Sequence, residues 1–286
     1  MLSMPRPPLK MDVTAALGRA FFRTATMTYP FLSSLVLATA LLGANGAAQA
    51  DALERIEKTG VVRVAIMLDY PPFGTVGADM QPRGLDIDLS DHLAKDWGVK
   101  VEFVPVTAPA RIPTLQSGKA DVLLNVGRTE ERAKVVDFTQ PYAPYYIGIY
   151  GAADGTRYET LDALAGKSLA VTRGAIEDVL LSEQAKTADI RRYEDNAGTI
   201  SAYMSGQADT MAIGNIVALS LQGQGASRTF EEKLIVLNSP VHTAVGKDET
   251  RLLEKMNAFL SQLKADGRLD ALSRKWLKQP LAENIR

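Results

Sequence analysis

Leu115-Gln116-Ser117-Gly118-Lys119-Ala120-Asp121 returns as Tyr203-Met204-Ser205-Gly206-Gln207-Ala208-Asp209, each time after a stretch with helical spacing and before an apolar run. Each copy reads as a helix stopped at glycine, a short turn, and an Asp entering a strand, which is an ordinary αβ connection. Two copies far apart imply two halves of similar construction. Coincidence between common turn sequences is the competing explanation.

The surrounding pattern agrees with two α/β halves. Short β-branched runs recur at Val61–Ile66, Val99–Val104, Val122–Val126, Ile147–Tyr150, Leu169–Val171, Ile190–Tyr193, Met211–Ile213, Leu234–Leu237 and Thr243–Gly246. Between several of them apolar residues fall at helical intervals, as with Leu85, Leu89, Leu93 and Trp97. Alternating strands and helices predict βαβ units and mainly parallel sheets covered on both faces. A last clear helix is expected near Leu252–Ala265, closed by Gly267, with another over Arg268–Leu277.

The composition narrows the possible functions. The chain has 286 residues, 46% hydrophobic and 23% charged, with a formal net charge of −1. That is the profile of a globular protein, and it lacks the basic excess a nucleic-acid binder needs to displace counterions. The absence of cysteine excludes disulfides, thiolate metal sites and a cysteine nucleophile. His92 and His242 have no paired ligand spacing, and no Gly-x-Ser-x-Gly elbow supports a serine hydrolase. Gly223-Gln224-Gly225 lacks the strand before it and the glycine after it that a dinucleotide fingerprint requires, so it reads as a loop.

The first fifty residues read as a targeting segment. Arg6, Lys10, Arg19 and Arg23 precede an apolar run from Phe31 to Leu42, and Ala48-Gln49-Ala50 stands before Asp51. A basic start, a short apolar stretch and an Ala-x-Ala signature predict a secretory signal peptide over residues 1–50, cleaved before Asp51. The apolar run is too short for a membrane anchor, which needs about 20 residues. Synthesis beginning at Met11 or Met27 would give the more usual length. The mature protein is expected outside the cytoplasm, and with no cysteine to carry a lipid it is not a lipoprotein.

Three strand-to-helix junctions carry the candidate chemistry. Asp69-Tyr70-Pro71-Pro72-Phe73 projects two aromatics from a loop stiffened by proline, where they either cap the core or face a ligand. Asn125-Val126-Gly127-Arg128-Thr129-Glu130-Glu131-Arg132 places Thr129 as a helix cap and offers Arg132 either as a surface ion-pair partner or as a fork for a carboxylate. Thr172-Arg173-Gly174-Ala175-Ile176-Glu177 turns into another helix whose free N–H groups suit an anion. An arginine from one half and a helix N-terminus from the other would form a carboxylate clamp.

With these segments in order, the chain resembles the bacterial extracellular solute-binding proteins of the polar amino-acid class, family 3. The resemblance rests on Tyr70-Pro71-Pro72-Phe73, Gly84-Leu85-Asp86-Ile87-Asp88-Leu89, Arg111-Ile112-Pro113 through Asp121, Thr129-Glu130-Glu131-Arg132 and Val136-Asp137-Phe138-Thr139-Gln140-Pro141-Tyr142, and spans about Leu53 to Leu277. Arg111-Ile112-Pro113 is most similar to the glutamate/aspartate-binding branch. The resemblance implies a type II periplasmic-binding-protein fold: residues 51–145 and 239–286 as lobe 1, residues 146–238 as lobe 2, joined by two crossover strands near Tyr145–Gly148 and Leu237–Val241. It implies a periplasmic monomer that needs no cofactor, closes over a small amino acid or related carboxylate, and delivers it to an inner-membrane ABC permease.

Carried over by position, Tyr70 and Phe73 would be the aromatic wall, Asn125 and Gly127 further contacts from lobe 1, and Arg132 the carboxylate ligand. Ala175 and Ile176 would contribute N–H groups, with Glu177 facing the ligand side chain. The acid that pairs with a ligand ammonium in this family is expected near Gly214-Asn215, where neither residue is acidic. Asn215 remains a hydrogen-bond acceptor, and Asp195 or Glu177 is left to supply the charge, unless the ligand is not an ordinary α-amino acid. The cyclohexadienyl dehydratases also resemble this family and carry a catalytic Glu where Glu177 stands, although Arg173-Gly174-Ala175-Ile176 departs from their glycine-rich turn.

Overall fold

A computed structural model describes residues 51–223, 225 and 227–285. The expected signal peptide lies outside them. The chain begins with α1 (Ala52–Thr59) and β1 (Val61–Ile66), followed by three short strands, β2 (Asp69–Tyr70), β3 (Gly74–Val76) and β4 (Pro82–Arg83). Next come α2 (Leu85–Trp97), β5 (Lys100–Pro105), α3 (Arg111–Gln116), β6 (Val122–Gly127), α4 (Glu130–Ala133) and β7 (Val136–Ala143). A second series holds β8 (Tyr146–Ala152), β9 (Ser168–Thr172), α5 (Ile176–Gln184), β10 (Asp189–Tyr193), α6 (Asn196–Met204), β11 (Thr210–Gly214), α7 (Asn215–Gly223) and β12 (Phe230–Asn238). The chain ends with β13 (Val241–Gly246), α8 (Thr250–Ala265) and α9 (Arg268–Leu272).

The strands form two five-stranded sheets, β5-β1-β6-β13-β7 and β10-β9-β11-β8-β12, and β2-β3-β4 make a small third. The chain passes between the large sheets from β7 to β8 and again from β12 to β13. Three strands of each large sheet are parallel neighbours, in the matching orders β5-β1-β6 and β10-β9-β11. The other two in each sheet pair antiparallel. The sheets are therefore mixed rather than mainly parallel, because the chain crossing between halves adds reversed strands to each βαβ core.

The repeated heptad is a structural repeat. Gly118 and Gly206 both take the left-handed conformation, at φ +67° and +79°, where a side chain would be strained. Asp121 then accepts the Arg63 amide of β1 at 2.7 Å, and Asp209 accepts the Ser168 amide of β9 at 2.8 Å. Each carboxylate ties the third parallel strand to the first, so the two halves lock their sheets with the same bond.

Two strand groups had no clear sequence signal. β7 contains Pro141 and polar residues, and it is an edge strand, where a missing amide donor is tolerated. Strands β2 to β4 are each only two or three residues long. The helix expected over Arg268–Leu277 is α9 followed by a wider π turn over Ser273–Leu277, which stops at Lys278 in the left-handed conformation. On α8, Leu252, Met256, Phe259, Leu260 and Leu263 are all buried, each contributing roughly 1.5–3 kcal/mol of burial. No described helix is long and apolar enough to cross a membrane.

Candidate functional site

The carboxyl ends of β1, β6 and β9 face a cavity between the two sheets, the position at which open α/β folds receive ligands. From the first half it is lined by Met67 and Tyr70 beyond β1, Ala108 in the short turn before α3, Arg111 at the start of α3, Asn125 and Gly127 at the end of β6, and Arg132 on α4. Ala175, Ile176 and Glu177 border it from the start of α5, and Asn196 from the start of α6. Tyr145 and Ser239 come from the two connections, and Val241 opens β13. The cavity measures about 30 Å³, room for a water or two and too little for an amino acid. The two halves meet around it.

Arg132 bridges the two halves. The Thr129 hydroxyl accepts its amide at 3.1 Å and so caps α4, fixing where the side chain starts. Its guanidinium donates to the Gly127 carbonyl at 3.1 Å in one half and to the Gly174 carbonyl at 3.2 Å in the other. Gly174 takes φ +68°, and a Cβ there would press on Pro109 at 3.1 Å, so the turn needs glycine for conformation and for closeness. Burial, and then the neighbouring Arg111 cation, lower the Arg132 pKa to about 10, while Glu177 acts in the opposite sense.

Arg111 is a second buried guanidinium on the cavity, with a pKa lowered by burial and supported chiefly by Glu177. It donates to the carbonyls of Ala108 at 3.3 Å and Asn125 at 2.8 Å. Asn125 sits at φ +53°, a conformation asparagine tolerates better than most residues. Its amide donates to the Tyr142 hydroxyl at 3.1 Å, and that hydroxyl donates to Asp86 at 2.7 Å. The Asn125 side-chain Nδ2 is buried without a partner. A buried orphan donor is costly, which favours an acceptor arriving from the cavity.

Glu177 is 4% exposed, and burial raises its pKa to about 7 against the opposing pull of Arg111 and Arg132. No side chain caps α5, but the Ala175 amide donates to the Thr172 carbonyl at 3.1 Å, so of the two N–H groups expected from sequence that one is already engaged. Tyr70 and Tyr145 bring their hydroxyls together, and burial raises both pKa values. A side chain at Gly214 would collide with Tyr145, so glycine there leaves room for this ring.

Of the nine residues singled out from sequence, Tyr70, Asn125, Gly127, Arg132, Ala175, Ile176 and Glu177 line the cavity, while Phe73 and Asn215 do not. Phe73 is fully buried behind Tyr70, 6.2 Å between ring centroids, and supports the wall from the core. Asn215 uses Oδ1 to accept the Tyr146 amide at 3.0 Å, so it holds the start of β8. Asp195 is likewise engaged: it accepts the Gly198 amide at 2.7 Å as the cap of α6. Sequence reasoning gave no role to Arg111, Tyr145 or Asn196, since a buried cation shows no periodicity and the other two lie at junctions.

Comparison with known proteins now bears on this geometry. The sequence profile of the bacterial extracellular solute-binding proteins, family 3, matches residues 62–279. The chain belongs to that family. Among related family 3 proteins is the glutamine-binding protein GlnH of an ABC transporter in Bacillus subtilis (strain 168), 28% identical over 88% of this chain and 96% of that protein. The L-cystine-binding protein TcyJ of Escherichia coli (strain K12) is 27% identical over 78% and 85% respectively. A mutant of ArgBP from T. maritima superposes with a TM-score of 0.74 at 29% identity, covering 80% of this chain and all of that one. An ancestral amino acid-binding protein, a precursor of cyclohexadienyl dehydratase, gives a TM-score of 0.72 at 34% identity over 79% and 99%. The architecture is the type II periplasmic-binding-protein fold.

Proposed function

We propose that this protein is the periplasmic solute-capturing component of an ABC importer, exported by cleavage after Ala50 and acting as a monomer. In this reading residues 51–145 and 239–286 form one lobe and residues 146–238 the other, and they close over an amino acid or a related carboxylate for delivery to an inner-membrane permease. The observation that carries it is Arg132, whose guanidinium touches a carbonyl of each half beside the uncapped start of α5. A carboxylate between the parted halves would find a fork on one side and helix amides on the other, both strengthened once water is excluded. The names of the family relatives, amino-acid-binding proteins of ABC transporters, support the same ligand class.

A thermal-shift screen of amino acids, opines and dicarboxylates tests this reading, because a solute that binds only the native state raises the melting temperature. A saturating ligand at about 100 times its Kd adds about 2.7 kcal/mol of stability. A clear rise with a narrow group of these compounds is expected; no rise with any of them contradicts solute capture.

One observation favours a second reading. Glu177, buried with a pKa near 7, is suited to general acid–base work at neutral pH, and one structural neighbour is a precursor of a dehydratase. Incubation with prephenate or arogenate separates the two readings, and sustained product release would favour the enzyme.

A further inference from the structure

Asp51, the first residue after the expected cut, caps α1, and its carboxylate accepts the Leu53 amide at 2.9 Å. The same carboxylate pairs with Arg251 of α8 at 2.9 Å. The next amide, that of Ala52, donates to the carboxylate of Glu249 at the head of α8, at 3.0 Å. The first two residues of the described chain thus seat α1 on α8. Glu249 accepts that amide and pairs with no side-chain cation among the described residues. The cations around it are engaged elsewhere: Arg55 of α1 and Arg63 of β1 with Asp121, Lys247 beyond β13 with Asp137, and Arg251 with Asp51 and Glu57. Burial raises the Glu249 pKa; the Ala52 amide opposes this, and the Asp51 and Asp121 carboxyls add to the rise. Glu249 is a carboxylate among acids that lacks a counter-charge.

Cleavage before Asp51 makes a cation at this spot. Water divides the Ala50–Asp51 peptide bond, leaving a carboxylate on Ala50 and on Asp51 an amine that is mostly protonated at neutral pH. That nitrogen lies one residue before the nitrogen Glu249 already holds, and consecutive residues are only about 3.8 Å apart along the main chain. The helix dipole opposes a positive charge at a helix N-terminus, so an ammonium at the start of α1 needs a carboxylate beside it. Resting on export by cleavage after Ala50, we propose that the freed α-ammonium of Asp51 pairs with Glu249, so that signal-peptide removal itself fastens α1 to α8. The precursor has an uncharged amide at this position and lacks the pair. Processing therefore adds a stabilising contact that involves no residue of the cavity.

The test is made on the full-length chain, exported and purified from the periplasm in four forms: natural, with Gly-Ser inserted between Ala50 and Asp51, with Glu249→Gln, and with both changes. Intact mass reads the start of each mature chain. Each form is freed of bound solute by unfolding and refolding, then melted at about pH 7 and about pH 10. The natural protein is expected to begin at Asp51 and at about pH 7 to melt about 2–4 °C above the inserted form, whose ammonium is moved two residues away. Pairing raises the folded pKa of the α-amino group above its ordinary value of about 7.7–8.0, so the advantage is complete below that value and is lost as pH rises toward about 10. Glu249→Gln should shrink the difference between natural and inserted forms by at least half. Equal melting of those two forms, or a difference that Glu249→Gln leaves unchanged, overturns the proposal and leaves export standing. A natural chain that begins elsewhere overturns the pair and the cut together, with solute capture untouched.

Discussion

Asp86 and Glu177 are carboxylates held in places that disfavour their charge. Asp86 is 1% exposed, and burial raises its pKa to about 7 although the Tyr142 hydroxyl donates to it. Glu177 rises to a similar value, with Arg111 and Arg132 pulling down, Asp178 pushing up, and Tyr70 and Tyr145 facing it as neutral phenols. A carboxyl whose folded pKa lies above its unfolded value favours the fold while protonated. That contribution is complete below about pH 4 and is lost as pH rises toward 7. The ligand-free protein is therefore expected to lose stability from these two groups between about pH 4 and 7 and to level off above that. Asp86→Asn and Glu177→Gln should each flatten that part of a denaturant-midpoint profile, and an identical profile in both variants would count against buried, proton-sensitive carboxylates.

At the scale of elements, α6 is gripped from the opposite half. Asp195 caps it from within, while Asp69 on β2 accepts the Asn196 amide at 2.8 Å and its side chain at 3.1 Å. A carboxylate at a helix N-terminus contributes about 0.3–1 kcal/mol, more when partly buried. On the proposed lobe-closing reading, parting the halves would break this bond, so it favours the closed form. Asp69→Asn should raise the dissociation rate of any stabilising solute about two- to tenfold with little change in the association rate. Stopped-flow release kinetics read this directly, and an unchanged release rate would show that the contact does not hold the closure. This latch was hidden in the sequence, where Asp69 reads as part of a proline-stiffened loop and Asn196 as an ordinary helix start. The junctions themselves were legible: Thr129 caps α4, and Ala175 opens α5, where the turn residues placed them.

At the scale of the molecule, the repeated heptad was the most informative stretch, since Asp121 and Asp209 perform the same strand-locking bond in matching sheets. Strand positions followed from β-branched runs because most of those strands are buried. β7 escaped because an edge strand can afford proline and polar residues. Within the site, the residues visible from sequence were those at strand ends and helix starts. Phe73 lies behind the wall rather than on it because an aromatic supporting a wall and one forming it share the same motif, and Asn215 lies off the cavity because a side chain that holds a strand start leaves no local pattern. Arg111 needed the folded chain, which brings α3 against the end of β6.

The proposed function has the two halves converge on an anion through Arg132, and calorimetric titration tests that most directly. The best solute from the thermal-shift panel is titrated into the wild type and into Arg132→Ala. Loss of a buried, hydrogen-bonded charge partner costs about 2–5 kcal/mol, so the variant should bind roughly 30-fold to several thousand-fold more weakly while keeping a native circular dichroism spectrum. Equal affinity in a folded Arg132→Ala protein would contradict the account.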